Sequence, residues 1–262
     1  MKQPGLQIPE AEDRERAEKL SEEWLSVEKA LDEAKILQTI VFFGSARIED
    51  RHSAEVIKDK AEQLSRGQQQ NHLVQSAQTS AELALAQSRY YEDARSLARK
   101  IGQHLYDCQN EITKLVTGGG PGIMEAANRG ASEIGQSSIG LNIIIPREQI
   151  PNPYVSEDLS FSFHYFSLRK MHFLKRAKAI IVFPGGFGTL DELSEVLTLI
   201  QTGRMPAIPI ILYGRDFWQK AINFEFLAEQ RLIDPEDLKL YTLVDDIESA
   251  FQLVKDFMKC GN

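Results

Sequence analysis

Two short segments bring together the residue types that chemistry on a phosphorylated ligand requires. The first reads Pro184-Gly185-Gly186-Phe187-Gly188-Thr189-Leu190-Asp191-Glu192, directly after the apolar run 179–183. Leu190, Leu193, Val196, Leu197 and Ile200 then recur at helical spacing, which predicts a strand, a glycine turn and a helix. The first turn of a helix leaves backbone N–H groups unpaired and carries the positive end of the dipole, so it can hold an anion. Gly185, Gly186, Gly188 and Thr189 are therefore candidate phosphate binders. The second segment, Ser167-Leu168-Arg169-Lys170, puts two cations just after a serine suited to cap a helix over 167–176. Cations in a first turn oppose the dipole at about 0.3–1 kcal/mol each. An anionic ligand or a carboxylate partner would offset that cost, whereas a solvated surface pair would not.

Glu192 has two readings. Thr189-Leu190-Asp191-Glu192 matches a capping box, in which threonine and glutamate satisfy unpaired N–H groups and no catalysis is needed. A carboxylate beside a bound phosphate would also be repelled by it, unless it turned towards the sugar. Spacing alone leaves cap and catalyst equally open.

Two further loops follow apolar runs. Gly44-Ser45 succeeds the strand-like 40–43, and Thr117-Gly118-Gly119-Gly120-Pro121-Gly122-Ile123-Met124 succeeds 112–116. Pro121 suits a helix start, where its missing N–H is not needed. Gly186-Phe187-Gly188 lacks the third glycine of a dinucleotide fingerprint, Asp191 standing there, and no Gly-Lys-Thr or Gly-Lys-Ser follows either loop. A monophosphate fits these loops better than NAD or ATP, and no cofactor is expected.

The elements that must position these loops alternate regularly. Strands are predicted over 112–116, 138–145, 179–183 and 208–213, with a short extended piece at 161–165. Helices are predicted over 121–132, 167–176, 189–201, 216–230 and 247–258. A long helical stretch spans 76–106, with Leu83, Leu85, Ala94, Leu97, Ala98 and Ile101 available for burial, and 66–71 reads as a polar connection. Near the start, 10–34 reads as a charged helix with Leu20, Trp24, Val27 and Leu31 as its apolar stripe, to be packed across the main domain or a second subunit. Short, wholly apolar strands between amphipathic helices predict an α/β, Rossmann-like, doubly wound fold: a mostly parallel sheet with helices on both faces and an N-terminal helical extension. The extension is placed at 1–36 and the catalytic domain at 37–262. Ligands of such sheets bind beyond the carboxyl ends of the strands, where all three glycine loops fall.

Composition narrows the partners. With 30 basic and 38 acidic residues and a net charge of −8, the chain lacks the broad basic surface that nucleic acid requires. No apolar run reaches the roughly 20 residues that cross a bilayer, and the charged beginning offers no signal-peptide core. A cytoplasmic location is expected, with Cys108 and Cys260 reduced, since they fit neither a metal spacing nor a disulfide framework. The five histidines show no metal pattern; His164 and His172 are expected in structural roles.

The pairing of Arg169-Lys170 with Pro184-Gly185-Gly186-Phe187-Gly188-Thr189-Leu190-Asp191-Glu192 resembles the signature of the Lonely Guy (LOG) family, an Arg-Lys helix followed by PGGxGTxxE. Phe43-Gly44-Ser45 resembles its first loop and Gly118-Gly119-Gly120-Pro121-Gly122-Ile123-Met124 its second, so the likeness spans about 40–257. The resemblance implies a phosphoribohydrolase of nucleoside 5′-monophosphates, AMP or cytokinin riboside 5′-monophosphates, acting without metal as a homodimer or higher homo-oligomer. It implies Arg169 and Glu192 as catalytic residues, and Gly44, Ser45, Gly118, Gly119, Met124, Lys170, Gly185, Gly186, Gly188 and Thr189 as substrate-binding ones. Members often carry the label lysine decarboxylase, but neither Lys170 nor Lys178 has a setting for pyridoxal chemistry. The longer stretch before Ile112 departs from compact plant members and resembles a longer bacterial branch. A non-catalytic nucleotide or cofactor carrier of Rossmann-like fold is the alternative.

Overall fold

The central apolar runs become strands because they are buried on both faces. In the computed structural model, which describes residues 11–65, 72–144, 150–258 and 260, seven strands form one sheet. They are β1 (Gln38–Phe43), β2 (Thr113–Thr117), β3 (Ser138–Ile143), β4 (Ser160–Phe163), β5 (Ala177–Val182), β6 (Ile210–Tyr213) and β7 (Thr242–Val244). Their order is β4-β3-β2-β1-β5-β6-β7, and every neighbouring pair is parallel. The alternation of side chains divides the core in two. Ile40, Phe42, Ala179, Ile181, Ile211 and Tyr213 face one layer; Val41, Phe43, Ile180, Val182, Ile210 and Leu212 face the other.

The first layer holds α3 (His72–Asp107), α4 (Ile123–Ser132) and α9 (Ile247–Phe257), with α2 (Arg51–Ser65) outside α3. The second holds α1 (Ala11–Glu33), α5 (Phe166–Lys175), α6 (Phe187–Gln201) and α7 (Arg215–Ala221), followed by α8 (Phe224–Glu229). The predicted doubly wound fold is thus present, wholly parallel within the described residues. No described helix is long and apolar enough to cross a membrane.

Several boundaries moved for local reasons. The predicted helix over 216–230 is two helices, because Asn223 breaks the run and its side chain accepts the Phe226 N–H to start α8. The 76–106 stretch is one helix, and Leu83 on it is exposed rather than buried. Ser167 does not cap α5: the helix begins at Phe166 with Tyr165 before it. A carboxylate from α1 binds just before the helix, Glu23 accepting the amides of His164 (3.0 Å) and Tyr165 (3.4 Å). The short β7 and the helix α2 went unread in the sequence. The predicted connection over 66–71 lies outside the described residues, as does the end of the predicted strand at Ile145.

The expectation for the cysteines is overturned: Cys108 and Cys260 form a disulfide with Cα atoms 5.2 Å apart. They are 152 residues apart in sequence, so only the docking of α9 along α3 brings them together. Spacing could not reveal that.

The N-terminal helix is tied in by charge as well as by Val27 and Leu31. The Glu28 carboxylate accepts two bonds from the Arg176 guanidinium, at 2.7 and 3.0 Å, and one from Lys175. Burial pushes the Glu28 carboxyl up, but Arg176 and Lys175 outweigh it and bring it down to about 2. A carboxylate depressed in the folded state stabilises above the unfolded value and loses that contribution as pH falls through the folded one. Between pH 4.5 and about 2 the loss amounts to about 3 kcal/mol. Glu28→Gln should destabilise the protein at pH 7 by about 3 kcal/mol and flatten the acid limb of urea stability plotted against pH. An unchanged acid limb would show that Glu28 does not hold α1.

Gly130 lies where α4 packs closely against α3. A methyl group there would lie 2.1 Å from the Arg95 backbone oxygen, which cannot rotate away. Gly130→Ala is expected to cost about 1–3 kcal/mol by forcing the two helices apart, read as a lower urea midpoint.

Candidate active site

The strand order reverses between β1 and β5. Chain that leaves β1 proceeds to β2, β3 and β4, then returns to place β5 on the other side of β1. Crevices at such switch points are where open α/β sheets receive ligands. A cavity of about 700 Å³ opens there, walled by the loops after β1 and β5 and the first turns of α6.

Backbone hydrogen bonds join the three glycine loops. The Ser45 N–H donates to the Pro184 carbonyl at 3.0 Å, and the Ser45 carbonyl accepts the Ile123 N–H at 3.1 Å. That second bond occupies the tip of α4. The α6 tip is different: Gly186 precedes its first residue, and no side chain caps it. The helix starts two residues before Thr189, so the predicted capping box cannot form, and Glu192 lies in the second turn. Of the two readings of Glu192, the structure removes the cap.

Glu192 turns into the cavity wall instead. Its carboxylate Oε1 lies 3.6 Å from the Arg169 Nη1, and both side chains are nearly buried, at 13% and 10% exposure. Arg169 is anchored from behind: its Nε donates to the Leu141 carbonyl at 2.6 Å and its guanidinium lies over the Phe173 ring. Burial pushes the Glu192 carboxyl up to about 7, against the pull of Arg169. Burial likewise lowers Arg169, opposed by Glu192. Removed from water, each leans on the other.

Lys170 takes the outer face. Its Nζ lies 3.1 Å from Asp191 and 3.0 Å from Glu195, one turn apart on α6. This resolves the electrostatic puzzle of the cations early in α5: Arg169 is paired with Glu192, and Lys170 with Asp191 and Glu195.

Of the residues singled out in the sequence, Gly44, Ser45, Met124, Arg169, Gly185, Gly186, Gly188, Thr189 and Glu192 line the cavity. Gly118, Gly119 and Lys170 stand behind it. Gly118 lies under the guanidinium, where a methyl group would come within 2.3 Å of Arg169 Nη2. Gly119 is bonded locally, its N–H to Thr117 Oγ1 at 2.9 Å and its carbonyl to the Asn152 amide group at 3.1 Å. The second glycine loop therefore lines the cavity through Met124 and backs Arg169 through Gly118. Sequence reading missed Arg47, Gln87, Phe166 and Phe217 on the wall. Arg47 was available by adjacency to Gly44-Ser45; Gln87 and Phe217 sit mid-helix with no motif to mark them.

The expected structural role of His172 is present in its packing. Its ring stacks on Trp24 at 4.2 Å and lies 5.3 Å from Phe163. Burial brings it down to about 4, so it is neutral at pH 7. His164 Nδ1 meets Glu23 at 3.1 Å on the surface.

A family model described as possible lysine decarboxylase matches residues 124–254, half of the chain. The chain belongs to this family, the LOG family. Among its LOG relatives is the cytokinin riboside 5′-monophosphate phosphoribohydrolase LOG3 of Arabidopsis thaliana, 27% identical over 59% of this chain and 74% of the relative. LOG2 of the same plant, with the same activity in its name, is 30% identical over 64% and 76%. The pyrimidine/purine nucleotide 5′-monophosphate nucleosidase of Escherichia coli (strain K12) is 34% identical over 45% of this chain and 27% of its own length. A solved structure of the molybdenum cofactor carrier protein from Chlamydomonas reinhardtii aligns with a TM-score of 0.49 at 19% identity, over 84% of this chain and 98% of that one.

A carboxyl raised in the folded state destabilises once ionised, so its contribution falls as pH rises from the unfolded value to the folded one. For Glu192 that window runs from 4.5 to about 7, a loss of about 3 kcal/mol. Urea stability of this LOG protein should decline across that window, and Glu192→Gln should flatten the decline. An identical slope in the variant would place Glu192 in water.

Proposed function

We propose that the protein hydrolyses the N-glycosidic bond of nucleoside 5′-monophosphates, releasing the base and ribose 5-phosphate. One observation carries the reading: a single cavity holds both an uncapped helix tip and a buried carboxylate paired with a guanidinium. The names of the phosphoribohydrolase and nucleosidase relatives agree with it.

The tip of α6, with Gly185, Gly186, Gly188 and Thr189, would receive the 5′-phosphate, and Ser45 would close the opposite side. That contact is remote from the bond broken, so its binding energy serves to fix the ribose. Loss of the base builds positive charge on the sugar, and ionised Glu192 would steady that charge or orient the attacking water. Arg169, already tied to Leu141, would hold Glu192 in place or polarise the leaving base. Phe166 and Phe187 leave apolar surface at the rim, Phe187 being 91% exposed. That rim fits a homodimer or higher homo-oligomer, which is part of the proposal. So is the division at residue 36, with the extension serving to brace α5.

Lysine decarboxylation finds no support at this site. Burial opposes the charge on Lys170, but Glu195 and Asp191 outweigh it and hold the amine above its ordinary value. A Schiff-base lysine needs the opposite shift, and Lys170 lies behind the wall.

Incubation with AMP, GMP, CMP and UMP, followed by chromatography for free base, tests the reading. Base should be released, with kcat/KM rising with pH to a plateau above about 7 as Glu192 ionises. Glu192→Gln should lower kcat by about 10²-fold or more while changing AMP affinity only a few-fold. Adenosine should be a poor substrate. Binding of AMP without release of base would make the protein a carrier, and equal turnover of adenosine and AMP would defeat the role of the helix tip.

A further inference from the structure

The end of α3 that leads into β2 lies at the amino ends of the strands, opposite the cavity. His104 is on its last turn, and Cys108 follows directly after it, its N–H still donating to the His104 carbonyl at 3.0 Å and its Sγ lying 3.6 and 3.7 Å from the two imidazole nitrogens. Cys260, two residues beyond the Met258 cap of α9, completes a cluster whose ligand atoms all lie within 4.8 Å of one another. A disulfide alone would not call for the histidine.

We propose that His104, Cys108 and Cys260 form a site for a thiophilic divalent cation of the zinc type when the cysteines are reduced, and that the disulfide is the closed, metal-free form of the same site. Zinc bonds of about 2.3 Å to sulfur and 2.0 Å to nitrogen, arranged tetrahedrally, separate neighbouring ligands by about 3.6 Å. The Cys108–His104 distances already match that spacing. The Cys108 N–H bonded to the His104 carbonyl continues the helical spacing by one residue, so residues four apart still lie on one side and two ligands are placed together before the third arrives. The imidazole is set by an edge contact with Phe251, 5.7 Å between centroids, which leaves its nitrogens for the sulfurs. Cys260 is exposed and outside α9, so the two sulfurs can separate without breaking a helical bond. Three protein ligands leave a fourth position for water.

The chemistry balances. Binding of the cation to the dithiol releases two protons, one from each thiol. Oxidation by a small-molecule disulfide removes two electrons from the two thiolates. It forms the Cys108–Cys260 bond, turns the oxidant and two protons into two thiols, and frees the cation.

The inference stands apart from the proposed hydrolysis. Its test is titration of the full chain with cobalt(II), after reduction by a phosphine and without oxygen, followed by displacement with zinc. The expected result is one cobalt per chain, with sulfur-to-cobalt charge-transfer absorption and the intense visible bands of tetrahedral coordination. The oxidised protein should give neither. Cys108→Ser and Cys260→Ser should lose the charge-transfer band, and His104→Ala should weaken binding at least about tenfold while still forming the disulfide. Cys260→Ser lies outside every helix, and its circular dichroism would confirm a folded chain. Failure of the reduced protein to bind cobalt, or equal binding by His104→Ala, would overturn the site.

Discussion

Glu192 sits almost out of water with a guanidinium 3.6 Å away, and a buried charge pair of that kind is costly to assemble. Everything around it works to keep the pair in place. Arg169 cannot swing out, because Leu141 accepts its Nε, Phe173 lies under its guanidinium, and Gly118 leaves no side chain to displace it. Glu192 is fixed by the second turn of α6, whose apolar face locks Leu193 and Val196 into the core. A carboxyl raised to about 7 by burial is a cost to the fold, and near neutral pH small changes in the cavity set its charge.

The two glycine turns look alike in sequence and are used differently. At α4 the Ser45 carbonyl accepts the Ile123 N–H, and Asn152 clamps the preceding turn through the Gly119 and Gly120 carbonyls. At α6 no side chain caps the helix, and the tip faces the cavity. One helix end is thus tied into the loops, while the other is left without a side-chain cap at the cavity. Ser45 is the link: its N–H joins the β5 loop and its carbonyl joins the β2 loop, so backbone hydrogen bonds tie all three loops together.

How much of this could be read from sequence follows from the range of the interactions. The strands were legible because burial on both faces leaves continuous apolar runs, and the α6 turn was legible because its glycines and its stripe are contiguous. Arg169 and Glu192 were legible as a pair only through the resemblance, since they are 23 residues apart and meet by tertiary packing. The start of α6 was misplaced by two residues, and with it went the capping box, because Gly186 rather than Thr189 carries the turn. Gln87 and Phe217 reach the cavity from helices whose orientation no local pattern encodes. The disulfide is the extreme case: two isolated cysteines at no recognisable spacing, joined because α9 lies along α3.

α5 is the crosspiece of the site, and its anchoring explains why a charged N-terminal helix belongs to it. Glu23 of α1 accepts the amides of His164 and Tyr165, just before α5. Glu28, further along α1, binds Lys175 and Arg176 at its end. Carboxylate at the amino end and cations at the carboxyl end both suit the helix dipole, so the two contacts favour α5 in one orientation. Between those fixed ends stand Arg169, facing Glu192, and Lys170, facing Asp191 and Glu195. A shift of α5 along its axis would strain both ends and break both cation pairs to α6. The precision of a pair 3.6 Å apart in the cavity therefore traces back to carboxylates on a helix that never touches it.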